Sequence, residues 1–371
     1  MEQRWVSAVS PTATRASHGT HPCQGLYHHP PDTPPRIAFI ATHYEVDFAE
    51  HYLAAPLAAR GFGFLGWNTR FRGNGTYFLL EHALVDIAVG VRWLRDEAGV
   101  ETVVLLGNSG GGSLMAAYQS QAADPWISAS HGLRLPEAVG SLAPGDLYVS
   151  VNAHAGRPEV LTAWLDPSVT DESEPLSCDP DLDLFDERRD VPLDPAFVDR
   201  YRAAQVARNH RITESAIDDL DRLTAAGVGD RVITVHRAWA DPRFVDTTID
   251  PSDRVPGCYA GDPRRANAGP FGLARTTTLR SWLSMWSLRT SSCRGAPALA
   301  RITCPSLVVQ SMGDRGVFPS DAREIHAALG SDDTELHLVS GEHYFEDTGP
   351  EAVADLIADW TRLRAGRSPK V

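Results

Sequence analysis

The chain has 371 residues, 43% of them hydrophobic and 22% charged, with a formal net charge of -14. That length suffices for one large domain or two modest ones with a buried core, and the acidic balance argues against nucleic acid or an anionic membrane as partner, since both need a basic surface. The five cysteines, Cys23, Cys178, Cys258, Cys293 and Cys304, are scattered without C-x-x-C spacing. They are expected as reduced thiols rather than as a disulfide framework or a zinc site.

Residues 1–23, rich in Ser, Thr, Pro and Ala, read as an N-terminal extension in which Trp5 and Val6 are a candidate edge strand. They lack the apolar core of a signal peptide, and no stretch approaches the roughly 20 apolar residues of a membrane span, so a cytoplasmic protein is expected. After the turn-rich segment 28–35, Arg36–Thr42 predicts a buried strand, Phe48–Arg60 a helix stopped by Gly61, and Gly63–Trp67 a short strand. Leu79–Ala98 has helical periodicity through Leu84, Ile87, Ala88 and Val91, and Val103–Leu106 then predicts a buried strand. This alternation of strand and helix implies a doubly wound, mostly parallel sheet.

Another strand, Asp146–Val151, ends near Asn152 and His154. From there the character changes. An acidic, Pro-rich stretch to about 195 is followed by a long helical pattern to Ala226, in one piece or two, then by turns and a stripe of Leu279, Trp282, Leu283 and Trp286. That stripe has the spacing of a buried helix face, either plain core or core lending a Trp to a pocket. Strand and helix resume at Pro305–Ser311, 320–329, Glu335–Val339 and Pro350–Arg364. The division expected is therefore an α/β core, 24–155 and 303–371, interrupted by a largely helical cap, 156–302.

The chemistry gathers where strands end. Gly107-Asn108-Ser109-Gly110-Gly111 lies between a β-branched strand and a good helix former. A G-x-S-x-G serine in that context sits on a sharp turn that only flanking glycines allow, with its hydroxyl raised above the sheet edge. The following Gly110 N–H stands at a helix N-terminus, where a developing oxyanion is favoured. A serine needs a base within hydrogen-bond reach and a group to orient that base. Asp314 and His343 follow later strands, giving the chain order Ser, Asp, His.

With Gly107–Gly111, Gly313-Asp314-x-x-Val317-x-Pro319 and Gly341-Glu342-His343 in that order, the chain resembles the α/β-hydrolase superfamily. The resemblance covers the core and not the cap. It implies Ser109 as nucleophile, His343 as general base and then acid, and Asp314 as the group that fixes the imidazole. It implies a second oxyanion donor after the strand that ends at Thr42, where a glycine usual in the family is replaced by Tyr44. The backbone N–H of Tyr44 or Glu45, or the Tyr44 phenol, could fill that place. The activity implied is hydrolysis of a carboxylic ester, lactone or thioester through an acyl-enzyme, without cofactor. The same residues also serve carbon–carbon bond hydrolysis, acyl transfer or a lyase reaction, and a catalytically silent binding module is the rival of another class.

His43, Glu45, Asp47, Glu50 and His51 cluster in sequence, but their spacing matches no metal-ligand pattern and no metal is expected. His43, His154, Trp282 and Trp286 are the candidate substrate-binding residues, and the cap aromatics Trp164, Phe185, Trp282 and Trp286 suggest a small-molecule substrate with an apolar acyl or ring group. A homodimer is left open.

Overall fold

In the segments around Ile37–Ala41 and Thr102–Ser109 almost every residue is buried. Strands of that kind need cover on both faces, which a central parallel strand flanked by helices provides. The computed structural model describes residues 1–174 and 176–365 and has this arrangement. Its elements before the interruption are β1 (Glu2–Ala8), α1 (Arg15–His18), β2 (Cys23–His29), β3 (Ile37–Ala41), α2 (Ala54–Ala59), β4 (Gly63–Asn68), α3 (Leu80–Asp96), β5 (Thr102–Ser109), α4 (Gly111–Ala123) and β6 (Leu147–Ala153).

The chain then leaves the sheet for α5 (Arg157–Trp164), α6 (Pro195–Ala225), β7 (Val232–Thr234), α7 (Pro263–Ala268), β8 (Thr276–Thr278), α8 (Leu279–Ser281) and α9 (Gly295–Leu299), and returns as β9 (Ser306–Ser311), α10 (Pro319–Ala328), β10 (Thr334–Val339) and α11 (Glu351–Arg364). The main sheet runs β1-β2-β4-β3-β5-β6-β9-β10, while β7 and β8 pair apart from it. From β4 to β10 neighbouring strands are parallel; β2 joins β4, and β1 joins β2, antiparallel.

The period of two along each strand sorts the core into two layers. Phe39, Val104, Leu106, Val149, Val151, Leu307 and Val309 face one cluster with Leu57 of α2 and Ile357 and Trp360 of α11. Ile40, Val103, Leu105, Tyr148 and Val308 face the other, with α3, α4 and the Leu279–Trp286 stripe. Each fully buried Val or Leu contributes about 1.5–3 kcal/mol.

β1 is the edge strand for which Trp5 and Val6 are candidates in the sequence: it pairs along its length with β2, Glu2 opposite His29 and Ala8 opposite Cys23. Two expectations need adjustment. The helix expected over Phe48–Arg60 is confined to α2, since polar side chains compete for its first backbone N–H groups. Asp47 accepts from Ala49 N at 2.9 Å and His51 Nδ1 from Leu53 N at 3.2 Å. Trp282–Trp286 continues α8 as a single wide π turn. The helix from 195 runs as one piece.

The N-terminus is also held by charge. Arg70, at the end of β4, donates to Asp86 of α3 at 2.6 Å, with side chains 2% and 0% exposed, and also to Thr12 O, Thr12 Oγ1 and Ser10 Oγ. Removing one partner of such a buried pair leaves an uncompensated charge. Arg70→Met is therefore expected to lose about 3–5 kcal/mol in urea unfolding, and Arg70→Met with Asp86→Leu to recover most of it. Equal losses in the single and double variants would contradict the pairing.

Candidate active site

The turn after β5 carries the backbone conformation that its sequence demands. Ser109 has φ +55°, a left-handed value that costs a non-glycine residue roughly 1–3 kcal/mol and is held only where the surroundings fix it. The space around it requires glycine. A Cβ on Gly107 would stand 2.5 Å from Gly112 Cα, one on Gly111 would strike Thr42 O, and one on Gly112 would strike the Ala153 side chain. At 8% exposure, Ser109 is nearly enclosed.

Asn108 is tethered on both sides. Its Nδ2 donates to Val151 O at 2.8 Å and its Oδ1 meets His51 Nε2 at 3.3 Å. Because His51 Nδ1 accepts a backbone N–H, Nε2 is the protonated nitrogen.

The acid and the histidine meet as the spacing implies. His343 Nδ1 is 2.6 Å from Asp314 Oδ2, with both side chains buried. Asp314 Oδ1 accepts from Gly316 N at 2.9 Å and Val317 N at 3.0 Å, so its orientation is fixed by its own turn. His343 Nε2 is buried without a hydrogen-bond partner among the described residues. A hydrogen bond from Ser109 Oγ to it is not formed here.

Asn152, at the end of β6, ties these loops together. Its Nδ2 donates to His343 O at 2.8 Å and its Oδ1 accepts from Ser311 N at 2.7 Å, while the neighbouring His154 N donates to Ser109 O at 3.1 Å. Asn152 itself takes φ +44°. The sequence points to Asn152 only through its place at a strand end.

Two functional candidates were not singled out from the sequence. Tyr259, from the segment between β6 and β9, places its hydroxyl 3.0 Å from Asp314 Oδ1 and 2.8 Å from His343 Nδ1. Burial and the Asp314 charge push its phenol well above its ordinary pKa, so it stays protonated and donates to the carboxylate. The other is Arg157, at the start of α5, whose guanidinium lies within 2.9 Å of where a Cβ on Gly110 would be. Neither carries a motif. A tyrosine in a turn-rich stretch and an arginine at a helix start have no spacing that marks them.

The remaining candidates divide. His43 is buried, its Nδ1 accepting from Glu45 N at 3.3 Å and Val46 N at 3.1 Å, and its Nε2 within 2.7 Å of the Gly110 Cβ position. Burial first, then Arg157 and His343, holds its pKa well below the ordinary value, so it is neutral. His154 is buried and shifted the same way, and lies edge-on to Trp164 at 5.8 Å between centroids.

The Tyr44 phenol is engaged with Ser113 Oγ at 3.1 Å, and Glu45 N–H with His43. That leaves the N–H groups of Tyr44 and Gly110 without recorded partners among the described residues. Both tryptophans pack in the core; Trp286 also lies against Arg157, whereas Trp282 donates to Thr213 Oγ1 at 3.0 Å. Of the sequence-clustered His43, Glu45, Asp47, Glu50 and His51, Asp47 turns to Asn68 and His51 to Asn108. No group of three or more potential ligands among the described residues is arranged for a metal.

No family model and no curated relative matches the chain. Solved structures do. The chain is similar over 98% of its length to 99% of the α/β hydrolase GrgF from Penicillium sp. sh18, at 10% identity and TM-score 0.53. It is similar over 97% of its length to 99% of Est1E from Butyrivibrio proteoclasticus, at 11% identity and TM-score 0.51. Its fold is that of the α/β hydrolases. In that α/β-hydrolase fold the segment from β6 to β9 interrupts the core, and no described helix is long and apolar enough to cross a membrane.

The buried histidines give the site a pH signature. Burial, partly offset by Asn108, brings His51 from 6.5 down to about 3. Below about pH 6.5 the unfolded chain takes up a proton that the folded one refuses until about pH 3, so this contribution is full above the first value and is lost on acidification toward the second. At about pH 5 one such histidine costs roughly 2 kcal/mol. Urea unfolding at about pH 7 and pH 5 should show that loss in the wild type and a smaller one in His51→Gln. Equal losses would contradict a neutral buried His51.

Proposed function

We propose that the protein is a serine hydrolase acting on a carboxylic ester, lactone or thioester, with Ser109 as nucleophile, His343 as base and then acid, and Asp314 as orienting group. The observation that carries this reading is the conjunction of a left-handed Ser109 at the end of β5 with a buried Asp314–His343 pair whose Nε2 has no partner. An orphaned buried imidazole nitrogen is costly. A hydroxyl that it can deprotonate is the partner its position suits, and the apo form of such pairs is often looser than the reacting one.

On this reading Ser109 Oγ attacks the acyl carbon while its proton passes to His343 Nε2. The tetrahedral oxyanion is taken by the N–H groups of Gly110 and Tyr44, assisted by His43 Nε2–H, which the acceptor role of Nδ1 leaves protonated. Collapse expels the alcohol or thiol with the proton returned from His343, and water repeats the sequence to release the acid. The segment 156–302 would serve as a cap: it lends Tyr259 to the Asp314–His343 pair and Arg157 and Trp286 to the site wall.

A fluorophosphonate is expected to label Ser109 and no other residue, as read by peptide mass spectrometry. Ser109→Ala should abolish labelling and lower kcat by about 10³-fold or more while keeping its melting temperature. Labelling elsewhere, or an active Ser109→Ala variant, would overturn the assignment.

Tyr259 is a positioning residue on this reading, since it acts on the carboxylate and imidazole and not on substrate. Tyr259→Phe should lower kcat and the fluorophosphonate labelling rate together, by about tenfold, with KM little changed. A change in KM alone would place Tyr259 in substrate binding instead.

A further inference from the structure

Arg157 is a charged group near Ser109 that the reaction just described does not use. It is 1% exposed, and its Nε and Nη2 have no hydrogen-bond partner among the described residues. Its nearest carboxylate, Glu45, stands 3.5 Å from Nη2, beyond a good charge-assisted bond, and is itself partly in solvent. Burial lowers the guanidinium pKa and Glu45 only partly restores it, yet a guanidinium keeps its charge in proteins. A buried cation so poorly matched costs several kcal/mol and calls for an anion.

The surroundings say where that anion would sit and what shape it has. The guanidinium lies 4.7 Å from the Tyr44 ring centroid and 4.6 Å from that of Trp286. Aromatic faces cover it, so a ligand must approach its edge. Nη1 is the atom beside the Gly110 Cβ position, next to the serine. His43 and His154, the other basic groups close by, are held neutral in part by the Arg157 charge and add no competing carboxylate. A planar carboxylate meets a guanidinium edge in its own plane through two parallel N–H···O bonds.

We infer that Arg157 is a specificity residue for a substrate whose acyl portion bears a free carboxylate, placed within a few bonds of the scissile carbonyl. This rests on the serine-hydrolase reading for the reaction, but not for the binding of the anion. The carboxylate is bound and not consumed: the bond broken is still acyl carbon to leaving group, and the product is a dicarboxylic or carboxylate-bearing acid.

The test compares mono-p-nitrophenyl succinate with p-nitrophenyl butyrate, each corrected for its uncatalysed rate, in wild type, Arg157→Met and Arg157→Lys. Wild type should favour the acidic ester by about thirtyfold or more in kcat/KM, the size of a charge-assisted bond. Arg157→Met should lose at least tenfold more on the acidic ester than on the neutral one, with Arg157→Lys between. A wild-type preference for the neutral ester, or equal losses on both, would overturn the inference, the latter pointing to oxyanion stabilisation or a structural role.

A second measurement does not need turnover. Succinate should raise the melting temperature of wild type and of Ser109→Ala, by less that of Arg157→Lys, while butanol should raise none. No rise in wild type would overturn the inference, even if Arg157→Met fails to fold. Failure of fluorophosphonate labelling alongside a succinate-dependent rise would instead sink the hydrolase reading and keep the anion site.

Discussion

The constraint on which the site depends is steric. β5 must stop, turn and start α4 within the Ser109–Gly111 step, and Ser109 accepts a left-handed backbone to do so. The turn is tight enough that α4 begins against Thr42 of the β3 end and Ala153 of the β6 end, with no room for side chains on Gly111 or Gly112. Three strand ends are thereby fixed relative to one backbone atom path. Any group placed just after β3, β5 or β6 inherits a position near Ser109, which is the reason a parallel sheet concentrates chemistry at its carboxyl edge.

The histidine loop follows β10, two strands farther out, and cannot rely on that contact. Asn152 supplies the link. One amide side chain accepts from the end of β9 and donates to the carbonyl of His343, so the outer strands and the loop are referred to β6. Tyr259 adds a second link from the inserted segment, reaching both members of the Asp314–His343 pair. Insert and core are thus joined at the imidazole itself, and a shift of the insert would be felt there as a change in hydrogen bonding. Aromatic packing continues outward from this point, Tyr259 to Trp164 at 6.0 Å and Trp164 to Trp239 at 4.7 Å.

Much of this was legible in the chain because it depends on local rules. The parallel strands were visible as short apolar runs, the helices as 3.6-residue stripes, and Ser109, Asp314 and His343 as residues at or just past strand ends. What escaped depends on partners distant in sequence. Cys23–His29 has weak strand character and becomes β2 only because β1 and β4 offer hydrogen bonds on its two edges. The shortening of the helix to α2 turned on His51 and Asp47 taking backbone N–H groups, a competition that hydrophobic spacing does not record. The roles considered for Tyr44 narrowed for a similar reason: its phenol is committed to Ser113 of α4. Trp282 and Trp286 look equivalent in the stripe, yet one meets Thr213 and the other meets Arg157.

Electrostatics then separates the site from the molecule around it. A chain carrying a formal net charge of -14 repels anions at long range, while the interior beside Ser109 holds an arginine and two neutral histidines. Screening confines the outer repulsion to about 8–10 Å at physiological ionic strength, whereas a buried guanidinium is screened far less. Binding of an anion would therefore be governed by the short-range match at Arg157 and its rate of entry by the acidic exterior. The two would respond differently to salt: added salt speeds entry by weakening the surface field and leaves the enclosed contact nearly as strong. A substrate without charge would feel neither effect, so the salt dependence of the acidic ester alone carries the signature of a buried cation set inside an acidic protein.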